Sequence, residues 1–271
     1  MVRSAVALLA NQSVRYLQAG AESAERTLIL LHAFPLSADQ WLPQLHQAPP
    51  GWRVVAPDLR GFRGGASELA EPVAERLTVD DYADDILALM DHLGIDRAVT
   101  CGLSMGGYVA FGVLRRAPAR VAGLVLAHTR AEADTGEGRA NRDRMIELVR
   151  RDGPKSIARL MLPKLLGETT RREQPDVVEA VGRMVRANSS DAIAAALAAL
   201  RDRPDSTPML ASIACPTLVV SGDEDAVVPR AETEAMQGAI PRSRLVVLPR
   251  VGHLGNLEAP QAFSKALYSK P

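Results

Sequence analysis

The sequence predicts an α/β fold built on a mostly parallel twisted sheet that is flanked by helices. Short apolar segments of strand length alternate with segments of helical periodicity over the first 129 residues and again from residue 208. The strands are apolar along their whole length, which is typical of a parallel sheet covered on both faces. The chain has 271 residues, of which 47% are hydrophobic, and this is enough for one large core.

The predicted elements follow one another in a regular order. After an N-terminal hairpin, the predicted strands lie at 27–34, 52–61, 97–104, 121–129, 216–229 and 243–253. The predicted helices lie at 79–94, 105–118, 230–239 and from Ala259 onward. Ligand sites of parallel sheets form at the carboxyl ends of the strands. We therefore expect the loops after residues 31, 56, 103 and 127 to meet.

Residues 130–207 interrupt the alternation. Four segments of helical periodicity follow one another there with no strand between them. This pattern predicts a helical cap of about four helices, inserted into a core formed by residues 1–129 and 208–271. The cap contains an apolar stretch, most of which should pack against neighbouring helices while a few side chains line a pocket: Leu160, Met161, Leu162, Leu165 and Leu166. Its many arginines are expected on a solvated helix face.

Composition narrows the possible partners. The 32 basic residues balance the 32 acidic ones, so neither nucleic acid nor an anionic membrane is an expected partner. The two cysteines, Cys101 and Cys215, lie in apolar segments, which predicts no disulfide and a reducing, cytoplasmic location. No cluster of ligands has the spacing of a metal site and no phosphate-binding fingerprint follows the first strand turn, so no metal or cofactor is predicted.

The pentapeptide Gly102-Leu103-Ser104-Met105-Gly106 stands between a predicted strand and a predicted helix. It fits the G-x-S-x-G elbow, in which a sharp turn holds a serine in a strained conformation with its hydroxyl exposed. The glycines allow the strand and the helix to approach closely. A larger side chain at 102 or 106 is expected to collide with neighbouring backbone.

A serine nucleophile needs a base, which in turn is oriented by a carboxylate. Of the five histidines, His253 is the best candidate, because it follows the last predicted strand and precedes a helix. Asp223, Glu224 and Asp225 follow the preceding strand and are the candidate carboxylates.

The chain resembles the α/β-hydrolase superfamily over nearly its whole length, apart from the helical insert. Five motifs appear in the order of that superfamily: His32-Ala33-Phe34-Pro35, Asp58-Leu59-Arg60-Gly61-Phe62, the elbow, Gly222 to Asp225 with Pro229, and Gly252-His253 with Glu258. Two departures stand out. Ala33 replaces the usual glycine, and the second motif continues as FRGGAS instead of reaching serine after a single glycine.

The resemblance implies specific roles. Ser104, Asp225 and His253 would form the catalytic triad, and the backbone amides of Phe34 and Met105 would form the oxyanion hole. It implies a structural role for His32, bonding loop backbone.

His128, Val227 and Leu254 are expected near the substrate pocket. His128 could either contact the substrate or bond to a neighbouring protein group.

Among subfamilies, the chain is similar to small esterases, 3-oxoadipate enol-lactone hydrolases and cofactor-free perhydrolases. The expected activity is hydrolysis of a small-molecule ester or lactone. The alternatives are a perhydrolase, haloperoxidase-like or lyase activity with the same triad, or a non-catalytic ligand-binding protein. The sequence does not determine the oligomeric state.

Overall fold

A computed structural model describes residues 1–10, 12–63 and 77–269 of the chain. Most of the FRGGAS segment, residues 64–67, lies outside the described residues. Cys101 and Cys215 are both free, as predicted. Within the described residues, no helix combines the length and the apolar character that crossing a membrane requires.

The predicted mostly parallel sheet is confirmed. Its eight strands are β1 (Arg3–Leu9), β2 (Gln12–Ala19), β3 (Arg26–Leu31), β4 (Trp52–Pro57), β5 (Ala98–Leu103), β6 (Val121–Ala127), β7 (Thr217–Gly222) and β8 (Ser243–Leu248). They lie in the order β1-β2-β4-β3-β5-β6-β7-β8. β1 pairs antiparallel with β2 in the predicted hairpin, β2 pairs antiparallel with β4, and all other pairs in the sheet are parallel. Strands β3 to β7 are buried along nearly their whole length, which explains their continuously apolar sequences.

The helices outside the insert are α1 (Leu42–His46), α2 (Val79–His92), α3 (Met105–Arg116), α9 (Arg230–Ala239), α10 (Gly255–Glu258) and α11 (Pro260–Tyr268). The predictions for α2, α3 and α9 are confirmed. α1 was not predicted, because five residues are too few to show helical periodicity. The closing helix predicted from Ala259 onward is confirmed as α11. α10, just before it, was not predicted, because four residues are too few to show helical periodicity. Ala259, which precedes Pro260, separates α10 from α11 with a non-helical backbone, at φ −135° and ψ 65°. The α conformation is disfavoured for a residue before proline.

Five helices, not about four, lie between β6 and β7: α4 (Gly136–Asp152), α5 (Pro154–Leu165), α6 (Glu168–Glu173), α7 (Pro175–Arg186) and α8 (Ser190–Arg201). The additional helix is α6. Its sequence, ETTRRE, contains no apolar residue, so the hydrophobic pattern could not reveal it. The boundaries of the cap at 130 and 207 stay a prediction.

The loops at the carboxyl ends of the parallel strands are joined by hydrogen bonds, as expected. Ser104 N–H, after β5, donates to Ala127 O at 2.9 Å, and His128 N–H, after β6, donates to Val220 O of β7 at 2.8 Å. His32 links the loops after β3 and β4. Its Nδ1 donates to Ala33 O and its Nε2 accepts from Leu59 N–H, each at 3.0 Å. His32 thus bonds loop backbone with both nitrogens.

The environment of His32 favours the neutral ring. Burial lowers the pKa of His32 to about 4, although the bond to Ala33 partly offsets this. The Leu59 N–H can only donate, so a proton on Nε2 would break that bond.

We therefore predict a loss of stability on acidification that originates at His32. Its pKa is lower in the folded state than in the unfolded state, so below pH 6.5 the unfolded chain binds the extra proton. The free energy of unfolding should fall by about 3 kcal/mol from this group as the pH falls from 6.5 to 4. Urea unfolding at pH 7 and pH 4 would measure it. His32→Asn should show a correspondingly weaker pH dependence, and an equal dependence in both proteins would contradict the prediction.

Candidate active site

Ser104 lies in a strained turn between β5 and α3. Its φ of 53° and ψ of −113° are unusual for a residue other than glycine. Three hydrogen bonds hold this conformation. Ser104 N–H donates to Ala127, and Ser104 O accepts from Gly107 N–H and from the Thr129 hydroxyl, both at 2.9 Å. Neighbouring strands and the first turn of α3 thus maintain the strain.

The two elbow glycines are needed for close packing. A Cβ on Gly102 would lie 2.1 Å from Gly106 O, and a Cβ on Gly106 would lie 2.1 Å from Leu31 O. Both contacts are with backbone, which cannot move aside as the end of a side chain can. The predicted collision at these two positions is confirmed.

The three successive acidic residues after β7 have different partners. Asp223 accepts from the backbone N–H groups of Arg250 and Val251. Glu224 accepts from the backbone and hydroxyl of Thr169. Only Asp225 faces histidine, and its side chain is 1% exposed.

His253 and Asp225 form a buried pair. His253 Nδ1 lies 3.0 Å from Oδ1 and 2.9 Å from Oδ2 of Asp225. Two backbone amides, of Val227 and Val228, also donate to Oδ1, at 2.9 and 3.0 Å. Burial opposes the charge of Asp225, but the charge of His253 and hydrogen bonds from His128 and His253 outweigh it and hold the pKa of Asp225 far below its usual value. This carboxyl group is therefore ionised.

Ser104 and His253 line the same cavity, which has a volume of about 260 Å³. Among the described residues, no hydrogen bond joins Ser104 Oγ to His253. Catalytic hydrogen bonds are often long without substrate and shorten when it binds. The structure therefore brings the predicted nucleophile and base to one cavity, and the base to the predicted acid.

Phe34 and Met105 also lie on the wall of this cavity. Within the described residues, neither backbone N–H donates to another protein group. Ala33 is accommodated beside Phe34 because its φ is not positive, so the position does not require glycine. Its N–H donates to Gln40 Oε1 at 2.9 Å, which fixes the loop.

The predicted pocket residues separate into two groups. Val227 lies on the cavity wall, whereas His128 and Leu254 are fully buried and lie outside the lining. Helices α4, α5 and α8 contribute apolar side chains to the wall: Met145, Leu160, Met161, Leu165 and Leu200. α4 also contributes Arg142, which is paired with Asp134 at 3.0 Å. Sequence periodicity indicated that a few of these leucines would line a pocket, but not which ones.

Glu258 ties the loop of His253 to the cap, and sequence reasoning gave it no role beyond its place in a motif. Glu258 is 5% exposed, and its carboxylate accepts three backbone hydrogen bonds. These come from Gly167 at 2.8 Å, Gly252 at 3.0 Å and Leu254 at 2.9 Å. In addition, His253 N–H donates to Leu165 O at 3.2 Å. The position of His253 therefore depends on contacts with α5 and the segment after it.

One group in the described part of the chain has the proximity that a metal ion would need. It consists of His128, Asp225 and His253, whose potential ligand atoms lie within 4.8 Å of one another. The Nδ1 atoms of both histidines lie at hydrogen-bond distance from the same carboxylate, which fits direct hydrogen bonding. The sequence analysis brought Asp225 and His253 together, but it left open whether His128 contacts the substrate or a neighbouring protein group.

The eight-stranded sheet, the elbow at its centre and the histidine–aspartate pair at its edge agree with the family assignment. Residues 26–260 match the family described as alpha/beta hydrolase fold. The chain belongs to this family and is a hydrolase of that fold.

Its similar relatives include esterases, enol-lactonases and putative carbamate hydrolases. It is 31% identical to 3-oxoadipate enol-lactonase 2 of Acinetobacter baylyi over 89% of this chain and 86% of the relative. It superimposes on a thermophilic esterase from Thermogutta terrifontis with a TM-score of 0.89 and 38% identity, covering 98% of this chain and 96% of the esterase. An enol-lactonase from Burkholderia xenovorans gives a TM-score of 0.87 at 26% identity, with 97% and 98% covered. The resemblance to small esterases and enol-lactone hydrolases is thus confirmed.

Gly106→Ala should destabilise the protein by about 3 kcal/mol, because the added methyl group meets the Leu31 carbonyl in a packed core. Urea unfolding would measure the change. Gly238→Ala, in α9, is the matched control. A Cβ there meets no atom within 4 Å, so this change should be neutral or slightly stabilising. Equal stability of the two variants would contradict the prediction.

Glu258→Gln should weaken both stability and turnover. The amide group of glutamine cannot accept all three hydrogen bonds, so at least one buried N–H loses its partner, at a cost of about 1–3 kcal/mol. Thermal unfolding and ester hydrolysis would be measured together. Glu25→Gln, at an exposed position, is the control and should change neither. A Glu258→Gln protein as stable as the parent would refute the role given to this carboxylate.

Proposed function

We propose that the protein is a serine hydrolase that cleaves carboxylic esters or lactones of small to medium size through an acyl-enzyme intermediate. One observation carries the proposal. Ser104, held at the strained elbow, lines the same cavity as His253, and His253 is bonded to the buried, ionised Asp225. A nucleophile, a base and an orienting carboxylate are the groups that acyl transfer by serine requires.

In the proposed reaction, Ser104 Oγ attacks the carbonyl carbon while His253 Nε2 takes the hydroxyl proton. The negative charge that develops on the carbonyl oxygen is stabilised by the N–H groups of Phe34 and Met105. The tetrahedral intermediate collapses when His253 returns the proton to the alcohol oxygen, which leaves and forms the acyl-enzyme. In a lactone this alcohol stays attached to the acyl chain.

Deacylation repeats these steps with water. His253 takes a proton from the water, whose oxygen attacks the acyl carbon, and then gives the proton to Ser104 Oγ as the acid is released. Asp225 keeps its charge throughout. By accepting from Nδ1 it leaves Nε2 as the nitrogen that exchanges protons, and it stabilises the imidazolium.

We propose further that residues 130–207 cover this site as a cap and shape its acyl pocket. The cap side chains on the cavity wall support this, and so does the volume of about 260 Å³, which suits a compact acyl group. The names of the similar proteins, an esterase and two enol-lactonases, favour the same two substrate classes.

Ser104→Ala should reduce turnover by about a million-fold, because the members of a triad act as a unit. Hydrolysis would be measured with p-nitrophenyl esters of increasing chain length and with several lactones, including an enol-lactone. Ser4→Ala, at an exposed position of β1, is the matched control and should retain full activity. Undiminished turnover by Ser104→Ala would contradict the proposal.

A fluorophosphonate probe gives an independent test of the same serine. It should label the parent protein at Ser104 and leave Ser104→Ala unlabelled. Labelling of Ser104 without turnover of any ester or lactone would instead favour a ligand-binding protein that has kept the triad.

A further inference from the structure

His128, which lies outside the cavity lining, is one of the most constrained side chains near the site. It follows β6, is fully buried and has a left-handed backbone with φ of 48°. Its N–H is bonded to Val220, so the backbone cannot relax without breaking the link between β6 and β7. A conformation of this kind persists only when the surroundings enforce it, which indicates that the ring has a specific place to fill.

That place is beside Asp225. His128 Nδ1 lies 3.1 Å from Asp225 Oδ2. An ionised carboxylate can only accept, so Nδ1 must carry the proton of this hydrogen bond. The other nitrogen, Nε2, is buried and has no hydrogen-bond partner among the described residues. The surroundings therefore fit the neutral tautomer of His128 that is protonated on Nδ1 and unprotonated on Nε2.

The donors to Asp225 divide between its two oxygens. Oδ1 accepts from the amides of Val227 and Val228, and Oδ2 accepts from His128. His253 Nδ1 lies between the two oxygens. Without His128, the side of the carboxylate at Oδ2 would be held by His253 alone, the group it is meant to orient.

We propose that His128 is a positioning residue, which fixes the plane of the Asp225 carboxylate and reduces the negative charge that this carboxylate presents to His253. The inference rests on the proposed function, in which His253 is the base. A hydrogen bond to Oδ2 draws electron density from the carboxylate and so weakens its stabilisation of protonated His253. His128 thereby influences the pH at which His253 becomes an effective base.

The remaining charged groups around Asp225 are few. Glu232 of α9 interacts with its charge, and Arg130 pairs with Glu232 at 3.0 Å and donates to Val227 O. Among side chains, only the two histidines contact the carboxylate directly in the described part of the chain.

The absence of a side chain at Gly255 leaves room for the ring of His128. A Cβ on Gly255 would lie 2.4 Å from His128 Nε2 and 3.1 Å from its Cε1. Gly255 begins α10 directly after the loop of His253. Any residue larger than glycine at 255 should push the ring of His128 away from Asp225.

The first test compares His128→Leu with His128→Asn. Leucine fills much of the space but donates nothing, whereas the amide nitrogen of asparagine occupies the position of Nδ1 and can still donate. His128→Leu should lower kcat about ten- to hundredfold with little change in KM, because His128 does not line the cavity. The acid limb of its kcat/KM profile should move to higher pH. His128→Asn should retain most of the parent kcat and the parent pH profile.

Packing alone predicts the opposite order, because asparagine leaves the larger void. Backbone strain at φ 48° predicts the same order, because asparagine tolerates this conformation better than leucine, but strain alone would not move the acid limb of the kcat/KM profile, so the pH profile separates the two explanations. His46→Leu, the same substitution at an exposed histidine, is the control and should match the parent. If His128→Asn is as impaired as His128→Leu, or if neither changes kcat and the pH profile, the inference is wrong. The proposed function would still stand in that case, provided that Ser104→Ala remains inactive.

The second test uses Gly255. Gly255→Ala should reproduce the fall in kcat of His128→Leu, because it displaces the donor. His128→Asn should restore activity to Gly255→Ala, since asparagine lacks the Cε1 and Nε2 atoms that collide. Failure of this rescue would show that Gly255→Ala acts on the loop of His253 directly and would count against the role of His128.

The third test is made on the unaltered protein, so misfolding of a variant cannot produce its result, and His128→Asn serves only to assign the signal. Nitrogen-15 NMR of labelled histidine in the unaltered protein should show His128 protonated on Nδ1 and unprotonated on Nε2, with its signal assigned by its loss in His128→Asn. A His128 that carries its proton only on Nε2 cannot donate to Asp225, and that result would overturn the proposal.

Discussion

The close approach of three backbone segments at the elbow is the constraint on which the rest of the site depends. Because Gly106 packs on the Leu31 carbonyl and Gly102 packs on Gly106, α3 starts directly at the end of β5 and beside β3. The same packing brings the amide of Met105 and the loop of Phe34 to one wall of the cavity. A looser turn would expose a serine without placing backbone donors next to it, and the chemistry needs both.

Much of this arrangement could be predicted because it rests on local patterns. The apolar strands reveal a parallel sheet, and residues that follow such strands meet at one edge, which is why Ser104, His253 and the acidic run 223–225 could be expected to meet. The choice of Asp225 within that run came from the resemblance to the α/β-hydrolase motif. The direction in which the His128 ring points could not be predicted in this way. His128 follows a strand too, but whether its ring turns toward the cavity or toward Asp225 depends on a backbone φ of 48° and on the space at Gly255. Neither feature leaves a trace in the hydrophobic pattern.

The three carboxylates at 223–225 show that the hydrogen-bond donors around a side chain decide its role. All three follow β7 and are chemically almost equivalent in sequence, yet Asp223 accepts from the loop after β8 and Glu224 accepts from Thr169 of α6. Only Asp225 is buried with two histidines and two amides around it, and these donors keep it charged in spite of burial. The donors that converge on a carboxylate, and not its residue type, decide which one can orient a base.

Under the proposed function, the contacts of Glu258 and Leu165 link substrate specificity and catalysis mechanically. Glu258 joins the loop of His253 to Gly167, and Leu165, whose carbonyl accepts from His253 N–H, also lines the cavity. A change in α5 that reshapes the pocket therefore acts on the backbone that holds the base. Since a small displacement of a catalytic group has a large effect on rate, cap residues that contact substrate should influence kcat as well as KM.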